Sequence, residues 1–133
     1  MNNAINLIGR LLLAALFLPA GLSKLSGFEG TVGYISSVGL PLPTVAAAVA
    51  LAVEIVGSVA LIAGFQTRIA AAVLAVFTLV ASVFFHAFWA AAPEQAFVQQ
   101  LLFFKNIGVI GGLLVLVSSG AAGLSLDAKK EAQ

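Results

Sequence analysis

Cysteine is absent from the 133 residues, histidine and tryptophan occur once each, and charged side chains make up only 8% of the chain. Each shortage removes a class of function. Without cysteine there are no disulfides, no thiolate nucleophile, no iron–sulfur cluster and no thiol relay. A single histidine, His86, rules out bis-histidine haem ligation within one chain and leaves a hydrolase without serine and aspartate partners at its own depth. No metal site is expected. Six Lys and Arg against five Asp and Glu leave a net charge of +1, so there is no basic patch for nucleic acid. A soluble domain carries about 25% charged residues, and this composition cannot make a surface that faces water.

What the chain does have is hydrocarbon. Hydrophobic residues are 62% of the total, and the mean hydropathy is +1.15. A span of about 20 residues crosses a bilayer, and four apolar stretches are legible, at about residues 4–25, 44–65, 69–91 and 97–117. The expected fold is an all-α integral membrane four-helix bundle forming one transmembrane domain over residues 1–133. Its solvent is the lipid bilayer. The first stretch also has the layout of a signal peptide, with Arg10 ahead of a short apolar run and a small-residue turn. It is read as a retained span, because Pro19 is tolerable where neighbouring helices satisfy the freed carbonyl. Residues 26–43 hold Gly27, Gly30, Gly33, Gly39, Pro41 and Pro43 beside an apolar side made by Phe28, Val32, Tyr34, Ile35 and Val38. That pattern predicts a short interfacial or re-entrant segment between the first two spans. Residues 127–133 are expected to be a mobile polar tail.

An even number of spans puts both termini on one side. Arg10, Arg68, Lys129 and Lys130 fall on that side and Lys24 on the other, so the positive-inside rule places both termini in the cytoplasm.

An ionisable group inside a span costs roughly 2.5–3.5 kcal/mol on insertion scales, so each needs a partner, a water path or a task. Counting residues at 1.5 Å each puts Glu54 about 15 Å below the outer end of its span, Lys105 and Asn106 about 12 Å, and His86 about 8 Å, with Lys24 near the outer mouth. Thr78, Ser82 and His86 share a face at four-residue spacing, which Trp89 extends. Arg10 and Lys24 can both face the bundle. These groups predict an outer-half polar cavity. In it Glu54 and His86 exchange protons, while Arg10, Lys24, Lys105, Asn106, Ser82 and Trp89 contact the ligand. Simpler readings stand beside this. Arg10 and Lys24 can snorkel to headgroups, His86 can bond to a headgroup, and Glu54 can pair with Lys105 with no chemistry at all. The Gly108 and Gly112 spacing permits close helix approach, and so a contact in a homo-oligomer.

The segments GRLLLAALFLPAGLSKLSGF from Gly9, VGLPLP from Val38, AVEIVGSVALIAGFQTR from Ala52, FFHAFW from Phe84 and FFKNIGVIGGLLVL from Phe103 occur in this order. Together they resemble the DoxX family of small four-helix bacterial inner-membrane proteins over nearly the whole chain. The resemblance implies a bacterial inner (plasma) membrane location and a membrane subunit of an oxidoreductase system, since some relatives serve a thiosulfate:quinone oxidoreductase. With no cysteine and one histidine, a redox role here would use a bound quinone or the cofactor of a redox partner protein. The expected function is therefore binding of a quinone-like or small amphipathic ligand. The alternative is a non-catalytic structural subunit or a small proton-linked transporter.

Overall fold

The computed structural model describes residues 2–133 and is all-α. Helix α1 runs Asn3–Ser26, α2 Phe28–Ser37, α3 Pro43–Ala63, α4 Thr67–Phe85, α5 Pro93–Ser119 and α6 Leu126–Glu131, with a single 3-10 turn at Phe88–Ala90 between α4 and α5. Four of these segments are long and apolar enough to cross a membrane, and α2 is the short helix expected between the first two. Helix α3 is the hub, packed against α1 on one side, α4 on the other and α2 near its start, while α5 lies along α4.

Local chemistry sets the helix ends. The Asn2 side chain accepts from the backbone amides of Ala4 and Ile5 at 3.0 and 3.1 Å and so caps α1. Pro43 opens α3, where its missing N–H costs nothing. Gly64 closes α3 in the left-handed region at φ 68°, with the Phe65 amide reaching back to Ala60 O at 2.9 Å. Only glycine fits there for a second reason. A β-carbon at this position would stand 2.7 Å from Arg10 Nη1.

The bundle is packed shut at one end and polar at the other. Phe17, Leu61, Leu74, Leu113 and Leu116 interlock with Ala71 and Ala75 in the half nearer the termini. Lipid tails are as apolar as leucine, so what holds the spans together here is close van der Waals packing and hydrogen bonding rather than escape from water.

That end is also tied by a polar clasp. Arg10 is fully buried and does not snorkel. Its guanidinium donates to Asn6 Oδ1 at 2.9 Å, to Leu61 O at 2.9 Å, to Ile62 O at 3.2 Å and to Leu124 O. The last carbonyls of a helix have no partner within the helix, and a cation suits that end of the dipole. Asn6 also accepts the Ala122 amide and donates to Gly120 O, which fixes the chain beyond α5.

The residues expected to be a mobile tail fold instead into α6. The Asp127 carboxylate receives the Gln66 and Thr67 amides at 2.8 and 2.9 Å and caps α4 from sixty residues away, while its own amide donates to Gly64 O. Partial burial opposes ionisation of Asp127. The two amides and the nearby Arg10 guanidinium outweigh it and hold the carboxyl below its ordinary value. Arg68 performs the equivalent service for α5, donating to the carbonyls of Val117, Ser118 and Ser119.

Candidate functional site: a polar cavity at membrane depth

The heights of the helices decide which charges meet. Gly21 of α1 lies directly against α3, so that a β-carbon there would come within 3.0 Å of Glu54 Cβ and 2.7 Å of Ile55 Cγ1. The end of α1 therefore reaches the middle of α3, not its outer end. Lys24, one turn on, leans back along its own helix with Nζ 3.4 Å from Ala20 O and forms an ion pair with Glu54 Oε1 at 2.6 Å. Residue counting puts Lys24 at the outer mouth because it assumes level spans. It also favours Lys105 as the partner of Glu54, which the structure does not adopt. Lys24 is the partner, and the pair is nearly enclosed, with Lys24 23% and Glu54 5% exposed.

Around this pair lies a cavity of about 810 Å³. Glu54, Thr78, Asn106 and Phe17 line its deep part, and Lys24, His86, Phe85 and the α2 residues Thr31, Tyr34 and Ile35 line the rest. The Tyr34 ring stacks on Phe85 with centroids 4.9 Å apart, so α2 covers the cavity by an aromatic contact with the end of α4. The wall also includes Tyr34, Val49 and Val80, which are roughly half exposed on the outside of the bundle. Val49 is six residues into α3, or about 9 Å along it, so the opening faces acyl chains.

Polar groups converge on the wall as the four-residue spacing of α4 requires. The Thr78 and Ser82 hydroxyls each donate back to the carbonyl four residues earlier at 2.7 Å, which keeps both satisfied inside the bundle. Ser82 Oγ in turn accepts from Asn106 Nδ2 at 3.0 Å and so joins α4 to α5. The Ser58 hydroxyl donates to Glu54 O. His86 Nδ1 lies 2.8 Å from Gln99 Oε1.

The expected site residues thus divide. Glu54, His86, Lys24 and Asn106 line the cavity, and Ser82 lies behind Asn106. Arg10 belongs to the clasp at the opposite end. Lys105 is exposed on the outside of α5, although its neighbour Asn106 turns inward. Trp89 does not continue the face of Ser82 and His86, because α4 ends at Phe85 and the 3-10 turn carries the indole away. It packs instead on Phe88 and Phe103, with centroids 5.2 and 5.5 Å away. One cavity residue, Tyr34, and one residue bonded to a cavity residue, Gln99, escaped the sequence reading. Gln99 is signalled only by being a polar residue in the first turns of α5, and Tyr34 by being the one amphipathic aromatic of the short helix.

The comparisons agree with this architecture. The DoxX family profile matches residues 5–87. The chain is 33% identical to the inner membrane protein YphA of Escherichia coli K12, with 91% of this chain and 86% of that protein covered. It is 36% identical to the inner membrane protein YqjF of the same organism, over 91% and 88%. A putative oxidoreductase, CatD of Bacillus subtilis, is 36% identical over 58% of this chain and 55% of its own. No solved structure matches. On the family profile and the near full-length relatives together, the chain belongs to the DoxX family.

Proposed function

We propose that the protein binds a small amphipathic, quinone-like molecule in the cavity between α1, α2, α3 and α4, as the membrane subunit of an oxidoreductase system. The observation that carries this reading is the cavity itself. Its volume of about 810 Å³ lies within the range of drug-sized ligand pockets, and its walls are mostly apolar with a few convergent polar groups. Its mouth at Val49, Val80 and Tyr34 is at acyl-chain depth, which suits a ligand that arrives dissolved in the bilayer. Lys24 and Asn106 are donors for ligand oxygens, by a charge-assisted bond in the first case. Glu54 and His86 are the groups able to give and take protons there. A quinone that accepts two electrons also takes up two protons. The electrons would come from a partner, because this chain has no thiol or bis-histidine centre to carry them. The name of the CatD relative is consistent with such a setting.

The setting we propose is a bacterial inner membrane with both termini in the cytoplasm. That places the clasp and the basic residues Lys129 and Lys130 inside and the cavity in the outer half. Reporter fusions at the C-terminus and in the α4–α5 connection test the orientation. Mass spectrometry of small molecules extracted from the detergent-purified protein tests the function. A retained quinone or similar amphiphile is expected, lost from Glu54→Gln and His86→Ala while helicity is unchanged. Wild-type protein free of any such molecule, or retention by both variants, refutes the reading.

A further inference from the structure

The cavity wall is polar in one direction along the bundle and apolar in the other. On α4 the stripe that carries Thr78, Ser82 and His86 continues toward the termini as Leu74 and Ala70, both apolar and buried. On α1 Lys24 gives way in the same direction to Phe17 and Ala14, and on α5 Asn106 gives way to Ile110 and Leu113. On α3 Glu54 is followed by Ser58, whose hydroxyl is committed to Glu54 O, and then by Leu61. The four helices make this change at about one level, and there Phe17, Leu61, Leu74 and Leu113 pack into a single cluster.

A proton moves along groups that both donate and accept, or along water, and a buried water needs two or more polar partners. The packed cluster offers no such groups. Beyond it Arg10 has donors only, and these are held by Asn6 Oδ1 and three backbone carbonyls, so the clasp relays nothing. Toward the α4–α5 connection the wall stays polar. From Thr78 to His86 is about 12 Å of helical rise, with Ser82 and its partner Asn106 midway. His86 ends α4 and its Nδ1 lies 2.8 Å from Gln99 Oε1, and both residues are partly exposed at the end of the bundle that carries the α4–α5 connection.

We infer that the Lys24–Glu54 site exchanges protons and water with one face of the membrane only, the face of the α4–α5 connection, by a route along Thr78 and Ser82 and past His86. The route rests on the proposed role of Glu54 and His86 as proton-exchanging groups, and it adds a direction to that exchange. The ligand enters sideways from the acyl chains, whereas each proton it gains or loses is drawn from or delivered to that single face. A carrier working by alternating access would instead have to part Phe17, Leu61, Leu74 and Leu113 and open the clasp behind them.

The chain has no cysteine, so single cysteines can be placed in it without any other change. The test is the rate at which a membrane-impermeant methanethiosulfonate cation modifies Ala50→Cys, on the cavity wall one turn from Glu54, in membrane vesicles of each orientation. A thiol reacts as its thiolate, so the rate reports water at the site. Glu94→Cys at the start of α5 and Ala132→Cys at the end of α6 mark which face each preparation presents. Ala50→Cys should react at least tenfold faster from the face that presents Glu94→Cys, and Leu61→Cys, in the packed cluster, from neither face. Adding His86→Phe should slow Ala50→Cys at least fivefold, and adding His86→Ala should not. Reaction of Ala50→Cys from the face of the termini, from both faces equally or from neither overturns the inference, and so does a rate unchanged by His86→Phe in protein of unchanged helicity. No ligand takes part in the labelling. One-sided access in a protein that retains no amphiphile would defeat the proposed ligand and leave the route, whereas retained amphiphile with access from the termini would do the reverse.

Discussion

The Lys24–Glu54 pair makes an asymmetric prediction. In Lys24→Met the carboxylate stays in the middle of α3, 5% exposed, with its cation gone. Breaking a buried pair from one side costs about 3–5 kcal/mol because a charge is left uncompensated. In Glu54→Gln the group left behind is Lys24, which is 23% exposed and sits in the last turn of α1, on a flexible stem that can swing into the cavity and toward its mouth. The loss there is about 1.5–3 kcal/mol, that of one hydrogen bond to a charged group. The double variant removes both charges, so its cost should fall short of the sum of the single costs by about 2 kcal/mol or more. Equilibrium unfolding in mixed detergent micelles, followed by the fluorescence of the single tryptophan, measures all four corners of the cycle. The reasoning fails if Glu54→Gln destabilises as much as Lys24→Met. It also fails if the two effects simply add, because Glu54 would then be compensated by something other than Lys24.

Replacing Arg10 with leucine strips the Ile62 and Leu124 carbonyls of their donor, while Leu61 O still receives the Gly64 amide. At about 1–3 kcal/mol per orphaned group, the same unfolding assay should show a loss of roughly 2–6 kcal/mol with little change in ligand retention. Because the folded Asp127 carboxyl is held below its unfolded value, its contribution to the clasp is complete at neutral pH and is lost as pH falls below about 4. Hydrogen exchange at the Gln66 and Thr67 amides should accelerate over that range beyond the intrinsic pH effect, and Asp127→Asn should remove the extra pH dependence. Gly21→Ala should cost about 1–3 kcal/mol despite the better helix propensity of alanine, since its β-carbon would meet Ile55 and force α1 off α3. Ala50→Phe, which adds a ring to the cavity wall one turn from Glu54, should abolish ligand retention in the same extraction and mass spectrometry assay.

The number and order of the spans and the short helix between the first two were legible in the sequence, because hydrocarbon length and helical periodicity are local properties. So was the inward face of Thr78, Ser82 and His86, since four-residue spacing fixes direction around a helix whatever surrounds it. What the sequence could not supply was the height of one helix relative to another. That height is set by the seat of Gly21 on Ile55 and by the α2 detour, contacts between residues far apart in the chain. Those contacts brought Lys24 rather than Lys105 to Glu54. They also made a buried clasp of Arg10, Asn6 and Asp127 where isolated residues read as snorkelling cations and a loose tail. Trp89 left its expected face for a related reason, because the 3-10 turn seats it on Phe103 of the next helix. Residue type and spacing determined which groups cannot face lipid unaided. Only the tertiary packing decided which of them meet, because pairing energy falls off within a few ångströms and helix offsets are larger than that.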